Sequence, residues 1–359
     1  MGRAKNPIIV GGASNLAARK MSDSYFEINE TLREEYVNVY GGLRFGRIME
    51  DLDAVAGSIA YLHCDSFHHQ QLVIVTASVD RIDLISFLRK DQDVYLRGNV
   101  TYVGSSSMEV TIKVETKKEI DSEIKWNSVA IAKFTMVARD PKANKAVMVN
   151  PLKLETEEEL LNFQLADGMD RKQLEAQLSL DRQPPTSMES VIIHNLFLEK
   201  NKIEKHNNFM YMEDTILKNI HNFIFGGFLM REAFELAFAN ASLFIKSKAY
   251  FVALDELSFK KPVPIGSILT FTAQVVYSEG APHHSFQVIA DVTDVKTGQS
   301  DTTNTFYFTF RSKEDNVPKI MPRTYEEAMI YLEGKRRKER GIALTKKSMH
   351  QIDAEIYHG

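Results

Sequence analysis

Apolar residues recur every three or four positions in two stretches of the chain, and a glycine precedes each stretch. Ile48, Leu52, Val55, Ile59 and Leu62 follow Gly46, while Leu229, Ala233, Leu236, Ala237, Ala241 and Phe244 follow Gly227. That period predicts two helices, each with one broad buried face. Runs rich in Val, Ile, Thr, Tyr and Phe come after both. They cover 72–79, 94–103, 108–115 and 129–138 behind the first helix, and 250–257, 268–277, 285–292 and 304–310 behind the second. Such runs predict strands, and polar turn signals at 104–107, 280–282 and 296–298 separate them. One helix followed by antiparallel strands is an α+β layer in which the sheet buries the helix.

The two stretches are copies of each other. An offset of 181 lays Asn219 on Asn38, Gly227 on Gly46, Met230 on Met49 and Leu236 on Val55. At 175 the same comparison pairs Asp255 with Asp80, Val275 with Val100 and Tyr277 with Tyr102, and at 174 it pairs Phe308 with Phe134. A drift of a few residues, with the differences in polar loops, is the mark of a duplicated domain; two copies do not make a solenoid. Between the copies, 155–165, 171–180 and 187–200 are helix-prone, and Pro184-Pro185 interrupts them. A last helix is expected over 325–339, ending in the basic cluster Lys335-Arg336-Arg337-Lys338, which reads as a solvated helix end. The expected organisation is a flexible or targeting N-terminus (1–22), an N-terminal domain (23–150), a helical connecting segment (151–205), a C-terminal domain (206–312) and a C-terminal helix and tail (313–359).

Composition removes several classes of function. The chain has 359 residues and one cysteine, Cys64, which excludes a disulfide framework and a multi-cysteine zinc site. A net charge of -4 leaves no electrostatic footprint for nucleic acid. No apolar run approaches the roughly 20 residues that span a bilayer. Residues 1–22 hold Arg3, Lys5, Arg19 and Lys20 and no acid, the character of an organelle transit peptide or of a disordered tail. No G-x-S-x-G, G-x-G-x-x-G, P-loop or H-E-x-x-H pattern occurs. His68-His69 and His283-His284 are adjacent pairs in polar loops, and neighbours pointing different ways chelate poorly, so no metal is expected.

The two helix starts are left as candidates. A first helical turn has free backbone N–H groups and a dipole that favours negative charge, and glycine lets a ligand come close. Gly226 and Gly227 could therefore hold an oxyanion. Asn38 and Asn219 stand upstream of the two starts, able to donate and accept. Asp53, two turns into the first helix, could hold a water as general base. Its counterpart in the second copy is Phe234, with Glu235 next to it. The same glycines also suit a tight turn, and either asparagine also suits a loop cap.

The stretches 42–53 and 224–237, Phe134-Thr-Met-Val-Ala-Arg-Asp140, Phe259-Lys-Lys-Pro-Val263 and Phe306-Tyr-Phe-Thr-Phe310 resemble mitochondrial acyl-CoA thioesterases of the thioesterase 9 type. The resemblance runs from about Met21 to Glu333. It implies tandem hotdog domains, each a long helix wrapped by an antiparallel β-sheet, joined as a double hotdog. It further implies hydrolysis of acyl-CoA to a fatty acid and CoA without a cofactor, assembly of several chains into a homo-oligomer, and a mitochondrial rather than cytoplasmic location. In such enzymes an asparagine of one unit works with an acid of the facing unit. Carried across, this makes Asp53 and Asn219 the intact catalytic pair, shared between the two domains, and Asn38 with Glu235 a possible second site. Arg44, Arg47, Lys260 and Lys261 are candidate contacts for CoA phosphates. Two alternatives stay open: a hotdog dehydratase or hydratase using His221, whose counterpart is Tyr40, and a non-catalytic acyl-CoA-binding protein.

Overall fold

The computed structural model describes residues 3–30, 36–37, 43–64, 72–86, 88, 92–120, 123–143, 145–157, 159–160, 163, 180, 183–200, 209–210, 214–220, 226–255, 257–259, 268–278, 285–294, 301–314 and 317–358. The chain gathers into two compact units. One takes in 1–169 with 224–231 and 256–262; the other takes in 170–223, 232–255 and 263–359.

The first unit contains β1 (Arg3–Val10), β2 (Arg19–Lys20), β3 (Phe26–Glu30), α1 (Phe45–Cys64), β4 (Val73–Val79), β5 (Ile82–Leu84), β6 (Val94–Val103), β7 (Ser107–Ile120), β8 (Glu123–Arg139) and β9 (Leu152–Thr156). Its main sheet runs β3-β6-β7-β8 with antiparallel neighbours, and both β4 and β5 pair with β8. The strand β6 alternates buried and half-buried positions, as period-2 side chains require when one face is covered. The cover is α1, which buries Ile48, Met49, Leu52, Val55, Ala56 and Ile59. Each large side chain so placed contributes about 1.5–3 kcal/mol. Cys64 closes the helix, buried, with its Sγ 3.6 Å from Met108 Sδ.

The basic N-terminus forms strands within the first unit. Arg3–Val10, expected to be flexible or targeting, pairs antiparallel with β9, and β2 pairs with β9 in parallel. Gly11 and Gly12 make the turn that allows this, with φ of 62° and 60°. A Cβ on Gly11 would lie 2.0 Å from the Val103 carbonyl oxygen, so only glycine fits. The segment expected to be a helical connector thus opens with a strand, because its partner comes from the far end of the chain.

The later elements are α2 (Ser187–Lys200), β10 (Phe209–Met210), β11 (Asp214–Ile220), α3 (Gly226–Ile245), β12 (Tyr250–Leu254), β13 (Leu257–Ser258), β14 (Ile268–Ser278), β15 (Ser285–Asp294), β16 (Asp301–Arg311), β17 (Lys319–Ile320) and α4 (Tyr325–His358). The first turn of α3 and the short strand β13 belong to the first unit, where β13 pairs with β4. The second unit carries the antiparallel order β11-β14-β15-β16-β12. Helix α4 packs on β14 and β15 and runs beyond the expected residue 339.

The basic cluster on α4 is not the solvated end that its charge suggested. Arg337 is only 5% exposed. It donates to Glu333 at 2.8 Å and lies 3.6 Å over the Tyr307 ring, while the Tyr307 hydroxyl donates to Glu333. Arg336 binds both carboxylate oxygens of Glu189 on α2, at 2.5 and 2.8 Å, and holds that carboxyl down at about 2. A charge pattern alone does not show that acids on distant elements face these arginines.

Candidate active site

Asp53 lies on the buried face of α1, one residue after Leu52, and is 8% exposed. A carboxylate in that position is costly unless it is hydrogen-bonded. Two donors meet it. The Thr76 hydroxyl of β4 donates to Oδ1 at 2.6 Å, and the Gly227 N–H donates to Oδ2 at 2.7 Å. Gly227 belongs to the first turn of α3, whose amides have no partner within their own helix, and the helix dipole there favours the negative charge.

Glycine is needed at this contact because two backbones nearly touch. A Cβ on Gly227 would come within 2.8 Å of the Asp53 Cβ and 3.0 Å of both the Glu50 Cα and its carbonyl oxygen. At Gly226 the neighbour is the ring of Phe259, 2.9 Å from a Cβ built there. Phe259 is fixed in turn by its own N–H, which donates to the Ala77 carbonyl oxygen at 2.9 Å. A register shift in the β4–β8 ladder falls between Thr76 and Ser78, at the point where the strand presents its hydroxyl to α1.

Opposed influences act on the Asp53 carboxyl. Burial pushes its pKa up, and the negative charge of Glu50 adds to that, while the Thr76 hydroxyl and the Gly227 amide pull it down; the balance is upward. A carboxylate raised in this way is a better proton acceptor than an ordinary surface acid.

The remaining candidates fall in different places. Asn38, Lys260, Lys261, His221 and Tyr40 lie outside the described residues, as does the side chain of Asn219; the Asn219 backbone pairs with Leu269. The Gly227 amide, expected to face an oxyanion, is engaged with Asp53. Arg47 donates to Glu50 at 2.5 Å, so its guanidinium serves the protein's own carboxylate. The backbone N–H of Arg44 donates to the Tyr36 carbonyl oxygen. Phe234 is 2% exposed, its ring 5.3–6.3 Å from those of Phe238, Phe251, Phe308 and Phe310. Glu235 is half-buried and stands about 100° round the helix from Phe234, so it does not share that direction. Among the described residues no group of three or more His, Cys, Asp or Glu could hold a metal ion, and no helix is long and apolar enough to cross a membrane.

Two participants escaped the sequence reading. Thr76 sits in a run of β-branched residues that reads only as strand, so no local signal marks it. Glu50 could have been found: the offset of 181 lays it on Arg231, placing opposite charges at one position of the repeat.

Comparison with known proteins places the chain in a family. A model of the thioesterase superfamily matches residues 40–122. The mitochondrial acyl-coenzyme A thioesterase 9 of Bos taurus is 38% identical, over 89% of this chain and 78% of that protein. Its counterpart in Homo sapiens is 37% identical over the same shares. The chloroplastic acyl-coenzyme A thioesterase 2 of Humulus lupulus is 33% identical over 86% of this chain and 77% of that one. With its α+β tandem hotdog fold, the chain belongs to the acyl-CoA thioesterase family typified by thioesterase 9.

Proposed function

We propose that Asp53 is the group through which this acyl-CoA thioesterase splits its substrate. The observation that carries the reading is a buried carboxyl pushed upward by its surroundings yet held in place by two donors, Thr76 and Gly227. In one route Asp53 takes a proton from water as the water oxygen attacks the thioester carbonyl. The tetrahedral adduct then collapses, the C–S bond breaks, and the CoA thiolate leaves and is protonated. In the other route the carboxylate attacks directly, expels CoA thiolate, and the mixed anhydride is opened by water. Asn219 has the role that the family resemblance gives it, orienting the water or the carbonyl. The Gly226-Gly227 start is the proposed oxyanion donor, its amide passing from Asp53 to the substrate oxygen as substrate enters. Arg44 and Arg47 are proposed contacts for the CoA phosphates, with Lys260 and Lys261 as the further candidates.

A mitochondrial location follows the printed names of the bovine and human relatives. Assembly into a homo-oligomer follows the family resemblance; sedimentation at equilibrium checks it.

The deciding experiment is thiol release from acyl-CoAs of several chain lengths by wild type, Asp53→Asn and Asn219→Ala. Asparagine fits the Asp53 position, because its oxygen can accept from Gly227 and its amide can donate to Thr76. Asp53→Asn should therefore fold normally and lose about 10²–10⁴-fold in kcat, and Asn219→Ala about a hundredfold. An Asp53→Asn protein that turns over at the wild-type rate overturns the reading.

A further inference from the structure

We propose that the Glu50–Arg231 ion pair is a positioning clamp for the hydrolytic site: it holds the first turn of α3 against α1 so that the Gly227 amide is kept beside the Asp53 carboxylate, within reach of the substrate oxygen. The proposal rests on the reading of Asp53 given above. Arg231 Nη1 donates to Glu50 Oε2 at 2.7 Å, and both side chains are about three-quarters buried. Glu50 precedes Asp53 by three residues, so the two occupy one face of α1. Arg231 follows Gly227 by four, one turn along α3. Each partner of the clamp is thus tied by one helical turn to a partner of the Asp53–Gly227 hydrogen bond. The close approach of the Gly227 backbone to Glu50 Cα leaves little slack between the two contacts. Arg231 also lies 5.1 Å over the Phe228 ring, which steadies its guanidinium.

Glu50 and Arg231 share one position of the repeat, at the offset of 181. Were the two copies identical there, like charges would meet; the divergence to opposite signs makes the contact attractive.

The clamp has an electrostatic consequence that a purely steric brace lacks. Among the described residues, the charge that acts on Asp53 is that of Glu50 on α1, which is paired in turn with Arg47 on α1 and Arg231 on α3. The strand β4 contributes the uncharged Thr76 hydroxyl. Glu50 raises the Asp53 pKa, and Arg231 neutralises part of Glu50. Removing Glu50's charge should therefore lower the acid limb of the kcat/KM profile, and removing Arg231's should raise it, although both changes break the same pair.

The test is steady-state thiol release against pH for wild type, Glu50→Gln, Arg231→Gln, the double variant and Asp53→Asn, with melting curves on each. Each single variant is expected to lose about tenfold or more in kcat, as a small misplacement of reacting groups does, with KM changed less than threefold. The acid limbs should move in opposite directions. The double variant should lose no more than the worse single one and show a limb near that of wild type, as residues acting through one pair do. Glu50→Asp and Arg231→Lys keep both charges and should leave the limb in place. Wild-type kcat in both single variants overturns the clamp, and so do limbs that stay fixed or move the same way. An active Asp53→Asn defeats the catalytic reading itself, whereas a dead Asp53→Asn beside normal Glu50→Gln and Arg231→Gln defeats only the clamp.

Discussion

The same position of the repeat holds Asp53 on α1 and Phe234 on α3, and both side chains are buried. The first is surrounded by a hydroxyl, a backbone amide and a second carboxylate. The second is surrounded by four other phenylalanine rings. One copy thus keeps a group that is expensive to bury and chemically useful, and the other fills the place with side chains that pack. The contrast shows that burial alone says little about role; what matters is whether polar partners come with the residue. It also favours one competent site per chain, since a phenyl ring can neither accept a proton nor attack a thioester.

The largest way to break the contrast is to write the acid into the second copy. Phe234→Asp removes four ring contacts and buries a carboxyl without the donors Asp53 enjoys. It should destabilise the protein by about 3–5 kcal/mol in urea titration and create no added turnover per folded molecule. Next in size is Gly227→Ala, which forces a methyl into the Asp53–Glu50 contact. Thiol release should fall about a hundredfold, in line with a displaced reacting group.

Thr76→Val comes third. It deletes the hydroxyl that favours ionised Asp53, so kcat should fall about tenfold and the acid limb of the pH profile should move to higher pH.

The smallest effect is on stability. Because the folded Asp53 pKa lies above its unfolded value, the native state binds more protons between the two values, and stability is lost as pH rises through that window. The difference in Tm between Asp53→Asn and wild type should be near zero below the ordinary carboxylate range. It should open in favour of the variant as pH rises, and persist at neutral pH.

Much of the scaffold can be read from local pattern. Strand Val94–Val103 falls where its β-prone composition puts it, and helix Ser187–Lys200 where the chain turns helix-prone after Pro184-Pro185, because each is specified by its own side chains. The repeat leads to Asp53 and Gly227, since the matched glycines mark where both helices begin. What local pattern omits is partnership over distance. Arg3–Val10 looks like a tail until its pairing with Leu152–Thr156 is known. Arg337 looks solvated until Glu333 and Tyr307 are placed beside it. Thr76 looks like any β-branched strand residue until α1 brings a carboxylate to it.

The burial of Cys64 bears on how any of this can be measured. It is the sole thiol in the chain, and its surroundings push its pKa up to about 12. Thiolate is the form that reacts with disulfide dyes, so the native enzyme is nearly silent to them and colour in a turnover assay counts liberated CoA. A slow extra signal of one equivalent per chain would report the helix end coming open, giving each variant an internal gauge of unfolding in the same cuvette.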